Sequence, residues 1–122
     1  HLYRRRQRQM CIRDSVFDDT IIVSLTEFGR TLEQNGGSGT EHGYGTAILM
    51  AGGLLPKSRV IGDWPGLKRR KLFEGRDLDA TIDARAVYAS VVARVLGTDH
   101  RKVVRDAFFD SELPDMTERI FG

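Results

Sequence analysis

Cysteine, proline and tryptophan are all scarce in this 122-residue chain: one, three and one. A lone thiol, Cys11, forbids an internal disulfide and leaves the redox compartment open. No window approaches the ~18 apolar residues that a membrane span requires. A secretory signal needs an apolar core behind its basic start, and "HLYRRRQRQMCIRDS" has none. Motifs of common chemistries are missing as well. There is no G-x-S-x-G elbow and no paired cysteine. The glycine loop "GGSGTEHGYG" lacks both the Gly-Lys-Ser/Thr of a P-loop and the spacing of a dinucleotide fingerprint. These gaps set aside nucleotide cradles, thiol redox pairs and the serine-hydrolase elbow.

What is present is an ordinary globular composition, 40% hydrophobic, with a formal charge of +2 that is unevenly spread. Residues 1–15 carry Arg4, Arg5, Arg6, Arg8 and Arg13 against Asp14, and residues 16–122 sum to a slightly acidic remainder. On this count, attraction to nucleic acid or acidic lipid rests on the first fifteen residues. Those residues closely resemble a peptide found on unrelated conceptual translations, where adapter sequence has been read as coding sequence. The expectation is a non-native, disordered tail over 1–15, with the alternative of an arginine-rich arm for phosphate contact.

The run "TIIVSL" is continuous, apolar and β-branched, the pattern of a strand buried on both faces. Gly29 to Gly45 is loop-like and glycine-heavy. "TAILMAGGLL" is a second apolar run, and "PKSRVIGDWPGL" suits a turn, a short strand and a Pro-Gly turn. Helical periodicity is clearest in "DARAVYASVVARVLG", with Asp83 as N-cap and Gly97 as C-terminal stop. A second short helix is expected over Asp99 to Phe108, with Ala107-Phe108-Phe109 packing on the sheet. His100, inside the charged "TDHRK", is expected at the surface.

Chemistry-bearing residues gather between Ser24 and Thr46. Glu27 closes an apolar strand, where an unpaired acid is costly to bury. Its partner is either Arg30, three residues on, or a metal ion. His42, beside Glu41 in the glycine loop, is either a structural imidazole or a metal ligand. Carboxylate oxygen with imidazole nitrogen suits Zn²⁺ or Mn²⁺. Arg30 pairs with Glu27 or points its planar fork at a phosphate or sulfate oxygen.

Taken in order, "DDTIIVSLTEFGRT", "EQNGGSGTEHGYG", "GDWPGL", "LFEGRDL" and "TIDARAVYASVVARVLG" strongly resemble the C-terminal part of a bacterial family, domain of unknown function 1501, grouped with the alkaline phosphatase and sulfatase superfamily. The resemblance spans Val16 to about Phe109. It implies an α/β/α sandwich with a mostly parallel or mixed sheet, residues 16–122 being the C-terminal portion of one domain truncated at its N-terminal side. It also implies a metal-dependent phosphate or sulfate ester hydrolase whose nucleophile lies upstream, so that this piece is inactive alone. Glu27 and His42 would hold a divalent metal (zinc, manganese or calcium), and Arg30 and Glu41 would face a small anionic ester. Phe28 stands where many superfamily enzymes carry a ligand, and Glu41 replaces the usual aspartate of "GTDHG". The first departure supports a second reading, a non-catalytic member acting as a binding or surface-associated protein, whereas the second is conservative. The resemblance further implies export from the cytoplasm; no nucleic-acid partner and no membrane span are expected.

Overall fold

A computed structural model describes residues 16–122 of the chain. The expectation of a tail over residues 1–15 lies outside the described residues. Among the described residues, α-helices are confined to the C-terminal part. Helix α1 spans Ala84–Leu96, α2 spans His100–Ala107 and α3 spans Thr117–Phe121. Asp83 caps α1 as expected, its extended backbone letting the carboxylate accept from the Arg85 N–H at 2.8 Å. Gly97 ends the helix at φ 59°, the left-handed conformation that lets its N–H reach the Ala93 carbonyl. Asp99 repeats the capping device on α2, accepting from the Arg101 N–H at 2.8 Å.

The core is built where these helices meet. Ala86, Val87, Ala89, Val91 and Ala93 of α1 bury against Val103 and Val104 of α2, with Leu113, Met116 and Ile120 closing the third side. These side chains are small and aliphatic, and the largest that is fully buried is Ser90. Small residues let the helices approach closely, and each buried valine contributes about 1.5–3 kcal/mol. Ser90 joins two segments: its hydroxyl donates to the Ala86 carbonyl and accepts from the Met116 N–H, both at 2.8 Å.

Four short strands precede the helices. Strand β1 (Ile22–Val23) pairs antiparallel with β4 (Met50–Ala51), in the register Ile22↔Ala51 and Val23↔Met50. Nested between them, β2 (Gly29–Arg30) pairs antiparallel with β3 (His42–Gly43), in the register Gly29↔Gly43 and Arg30↔His42. Val23, Ile48 and Met50 lean half-buried on the helical core, and the Tyr88 hydroxyl donates to the Ser24 carbonyl at 3.3 Å.

The expected α/β/α sandwich on a mostly parallel or mixed sheet is therefore overturned. The described residues form two separate two-stranded antiparallel sheets and three α-helices. Parallel pairing needs a crossover, usually a helix, between consecutive strands. Here every named strand lies before residue 52 and every α-helix after residue 83, so no such unit arises. The run "TIIVSL" gives only two residues of ladder, and Ile22 and Leu25 are exposed rather than buried on both faces.

Two smaller expectations also fail. No strand forms in "PKSRVIGDWPGL"; the segment is irregular and tied to α3 by polar bonds. Phe108 half-buries against the helical core instead of a sheet, and Phe109, at φ 54°, is exposed.

Candidate functional site

Gly29 to Gly45 forms a hairpin whose glycines let backbone approach backbone. A Cβ on Gly29 would lie 1.8 Å from the Gly45 carbonyl oxygen, and one on Gly43 would lie 2.6 Å from the Arg30 carbonyl carbon. These positions are filled by main chain, which leaves them no space for a ligand. The tip is organised by Asn35. Its Oδ1 accepts from the N–H groups of Gly37 (3.0 Å) and Gly39 (2.9 Å), and its Nδ2 donates to Glu41. Such side-chain bonds to a neighbouring backbone are the usual means by which asparagine shapes a turn.

Each expected site residue now has a place. Arg30 lies on β2 and is spent within the hairpin: its Nε donates to Thr40 Oγ1 at 2.9 Å and its Nη2 to the Thr40 carbonyl. It makes no ion pair with Glu27. Glu27 sits in the exposed bend before β2, and among the described residues its carboxylate makes no salt bridge or hydrogen bond. Glu41 accepts from Asn35, while its backbone N–H donates to Thr31 Oγ1 at 3.1 Å. His42 lies on β3 opposite Arg30 and stacks on the Phe28 ring, with centroids 3.9 Å apart and planes 19° from parallel.

Phe28 thus covers one face of the imidazole. A second stack flanks the first: Tyr44 lies on Phe73, centroids 4.1 Å apart at 24°. Strand alternation sets Phe28, Arg30, His42 and Tyr44 on the same side of the hairpin. All four of those side chains are exposed, as is Phe73.

Phe73 reaches this face because the turn Phe73–Asp77 docks against the hairpin edge. Asp77 bridges both Thr31 and Phe73, and Gly45 donates its N–H to the Leu78 carbonyl at 2.8 Å. The turn uses the left-handed region at Glu74 (φ 51°) and Gly75 (φ 68°). Asp77 is buried, and Arg76 grips its side chain in a two-pronged pair, Nε to Oδ1 at 2.8 Å and Nη2 to Oδ2 at 2.9 Å.

Do these residues suit a divalent ion? Among the described residues, no three His, Cys, Asp or Glu side chains gather in a way that could hold one. Glu27 and His42 alone fall short of the three protein ligands that catalytic zinc sites use. The hairpin's polar groups are largely occupied with one another, and its outward chemistry is aromatic.

His100 departs from its expected surface position. It is buried at the start of α2, and its Nε2 has no hydrogen-bond partner among the described residues. It borders a cavity of about 280 Å³ shared with Arg94 and Asp115. Burial tends to raise the Asp115 carboxyl, yet it is held below the usual carboxylate range by hydrogen bonds from Thr117, by the field of His100 and by Ser90. The charged flanks of "TDHRK" concealed the burial of its histidine. The available clue was position, one residue after the N-cap Asp99.

A family described as Protein of unknown function (DUF1501) matches residues 12–108 of the chain, beginning inside the stretch expected to be a tail. No curated protein and no solved structure matches the chain. Among the described residues, no helix is long and apolar enough to cross a membrane.

Proposed function

We propose that this chain, which belongs to the DUF1501 family of proteins of unknown function, acts as a non-catalytic binding protein with the hairpin's aromatic face as its recognition surface. One observation carries the reading: two stacked pairs, Phe28 on His42 and Tyr44 on Phe73, stand exposed side by side, while the polar groups around them are bonded internally. Aromatic rings combine a large apolar area with few rotatable bonds, so they lose little entropy on binding. Flat ring faces bordered by the Tyr44 hydroxyl complement a partner with flat carbon faces and polar edges, the chemistry of a carbohydrate chain.

The ester-hydrolase reading draws less support from the same residues. It asks Glu27 and His42 to bind metal and Arg30 to hold an anion, whereas Arg30 is engaged by Thr40 and no third ligand gathers with Glu27 and His42 among the described residues. A metal ion there would polarise an ester oxygen, with further ligands needed beyond these two.

Both readings meet in one experiment. Backbone amide spectra of the full chain are recorded with soluble cello- and chito-oligosaccharides, and separately with Zn²⁺, Mn²⁺ and Ca²⁺. The expected result is saturable shifts centred on Phe28, His42, Tyr44 and Phe73 with a sugar, abolished in Tyr44→Ala. Shifts from a metal alone at Glu27 and His42, with silence from every sugar, would reverse the order of the two readings.

A further inference from the structure

Just ahead of the turn that carries Phe73, the chain exposes several large apolar side chains. Between Leu55 and Leu72 it forms no strand and no α-helix. Two of its polar side chains, Arg59 and Asp63, tether it to the C-terminal helix. Arg59 donates to the carbonyls of Ile120 (2.8 Å) and Gly122 (2.9 Å), and Asp63 pairs with Arg119 at 3.3 Å. Its large apolar side chains are turned outward: Val60 is fully exposed, Trp64 68% and Leu67 54% exposed. Scattered apolar exposure is ordinary, but three large, exposed apolar residues within eight positions of a tethered loop are a local concentration that suits a partner.

Lys68, Arg69, Arg70 and Lys71 follow immediately, the last three forming a 3₁₀ turn. All four are exposed, and among the described residues their side chains make no salt bridge and no hydrogen bond. From Lys57 to Lys71 there are six basic residues against one acid, Asp63, which is already paired. This cluster belongs to a part of the chain whose overall balance is slightly acidic, so it is a local field.

We propose that this loop is a peripheral membrane-docking surface. Lys68, Arg69, Arg70 and Lys71 meet anionic phospholipid headgroups, while Trp64, Leu67 and Val60 enter the interfacial layer. Charge and residue type together select this occupant. Polybasic segments are drawn to anionic bilayers, and tryptophan prefers the headgroup level, where its ring is half apolar and half polar. Single-stranded nucleic acid would also attract the cations, but it binds by stacking bases on rings. Here the exposed apolar residues are two aliphatic side chains and one ring. A lipid interface uses all three. The proposal is independent of the aromatic hairpin and of its ligand.

Trp64 is the chain's one tryptophan, which makes it a local reporter. The full chain is mixed with vesicles of phosphatidylcholine alone, or of equal parts phosphatidylcholine and phosphatidylglycerol. Binding is read by co-sedimentation and by Trp64 emission at ~0.1 M salt, where the Debye length is about 10 Å. The expected result is binding to the mixed vesicles only, with a blue shift of the emission. Arg69→Glu/Arg70→Glu should lower partitioning by at least about 25-fold, since each lost cation removes roughly a factor of five. Trp64→Ala should weaken sedimentation severalfold.

Arg4, Arg5, Arg6, Arg8 and Arg13 remain in every variant, so any binding through them cancels in the comparison. Far-ultraviolet circular dichroism checks the fold of each variant. Should the double reversal lose helix, Lys68→Gln/Lys71→Gln serves in its place. Equal binding to both vesicles, unshifted Trp64 emission on bound chain, or undiminished binding of the charge variants would overturn the proposal. So would an oligo-dT strand that strips the chain from vesicles through Arg69 and Arg70, which would make the partner a nucleic acid.

Discussion

Glycine serves opposite ends within a single hairpin. At Gly29 the absence of a side chain is a steric requirement, because any Cβ would collide with the Gly45 carbonyl. At Gly36, in the tip, nothing lies within 4 Å of where a Cβ would be. Gly29→Ala should therefore destabilise the chain by about 1–3 kcal/mol, the cost typical of overpacking. Gly36→Ala should be neutral or stabilise it by up to about 1 kcal/mol, through the reduced freedom of the unfolded chain. Urea unfolding of both variants measures the difference, and equal destabilisation would contradict the packing of β2 against β3. The same contrast revises what the glycines were expected to do. Composition alone shows six of them around an acid-histidine pair and invites a ligand cradle. Only the register reveals that Gly29, Gly43 and Gly45 are occupied by main chain.

Helix ends carry the clearest electrostatic signal at the scale of the element. Asp83, at the start of α1, is held below the usual carboxylate range chiefly by its hydrogen bond from the Arg85 side chain, against an opposing effect of burial. Asp115, just ahead of α3, is lowered despite burial. A carboxyl depressed in the folded state adds stability that is complete above its unfolded value, near pH 4, and that disappears as pH falls through the folded value. Helical content should accordingly hold steady from pH 7 to about pH 4 and then decline. In Asp83→Asn, which retains a good capping side chain, and in Asp115→Asn, the decline should be shallower. Circular dichroism at 222 nm across the acid range tests this, and unchanged acid limbs in both variants would refute it.

These helices were also the legible part of the sequence. Asp83, Gly97 and the three- and four-residue recurrence from Ala84 to Leu96 are local signals, and they mark the ends of α1 correctly. Asp99 does the same for α2. The strands were less legible, because pairing is non-local. "TIIVSL" carries no information about which segment it meets, and a run of apolar residues suits an exposed antiparallel ladder as well as a buried parallel one until its partner is known. The candidate site was readable as a cluster and unreadable as a geometry. Phe28 over His42 and Thr40 on Arg30 arise from cross-strand placement, which spacing does not encode. The basic run Lys68–Lys71 was visible in the text yet hidden by charge counting, since an average over residues 16–122 dilutes four adjacent cations.

At the scale of the whole molecule, order is unevenly distributed. Among the described residues, every buried hydrophobic side chain lies at or beyond Ala86, and the buried residues before it are Gly29, Thr31, Gly45 and Asp77. The half of the chain that carries both proposed binding surfaces rests on the helical core through half-buried side chains such as Val23, Ile48 and Met50. Local opening free energies follow such contacts. Amides within α1 and α2 should exchange with solvent orders of magnitude more slowly than those between Gly29 and Gly45. Hydrogen exchange read by mass spectrometry resolves the two regions, and uniform protection would show that the chain opens as one unit.

One ladder sits inside another: β2 meets β3 within the loop that β1 and β4 close. Chain-closure entropy rises with the length of free chain between the joined ends. Zipping the inner pair first shortens that span, so the outer pair should form second, and assembly proceeds outward from the Asn35 tip. A protease cut among Gly36, Gly37 and Gly39 would sever this sequence at its origin, loosening both ladders in turn while the three helices downstream keep their packing.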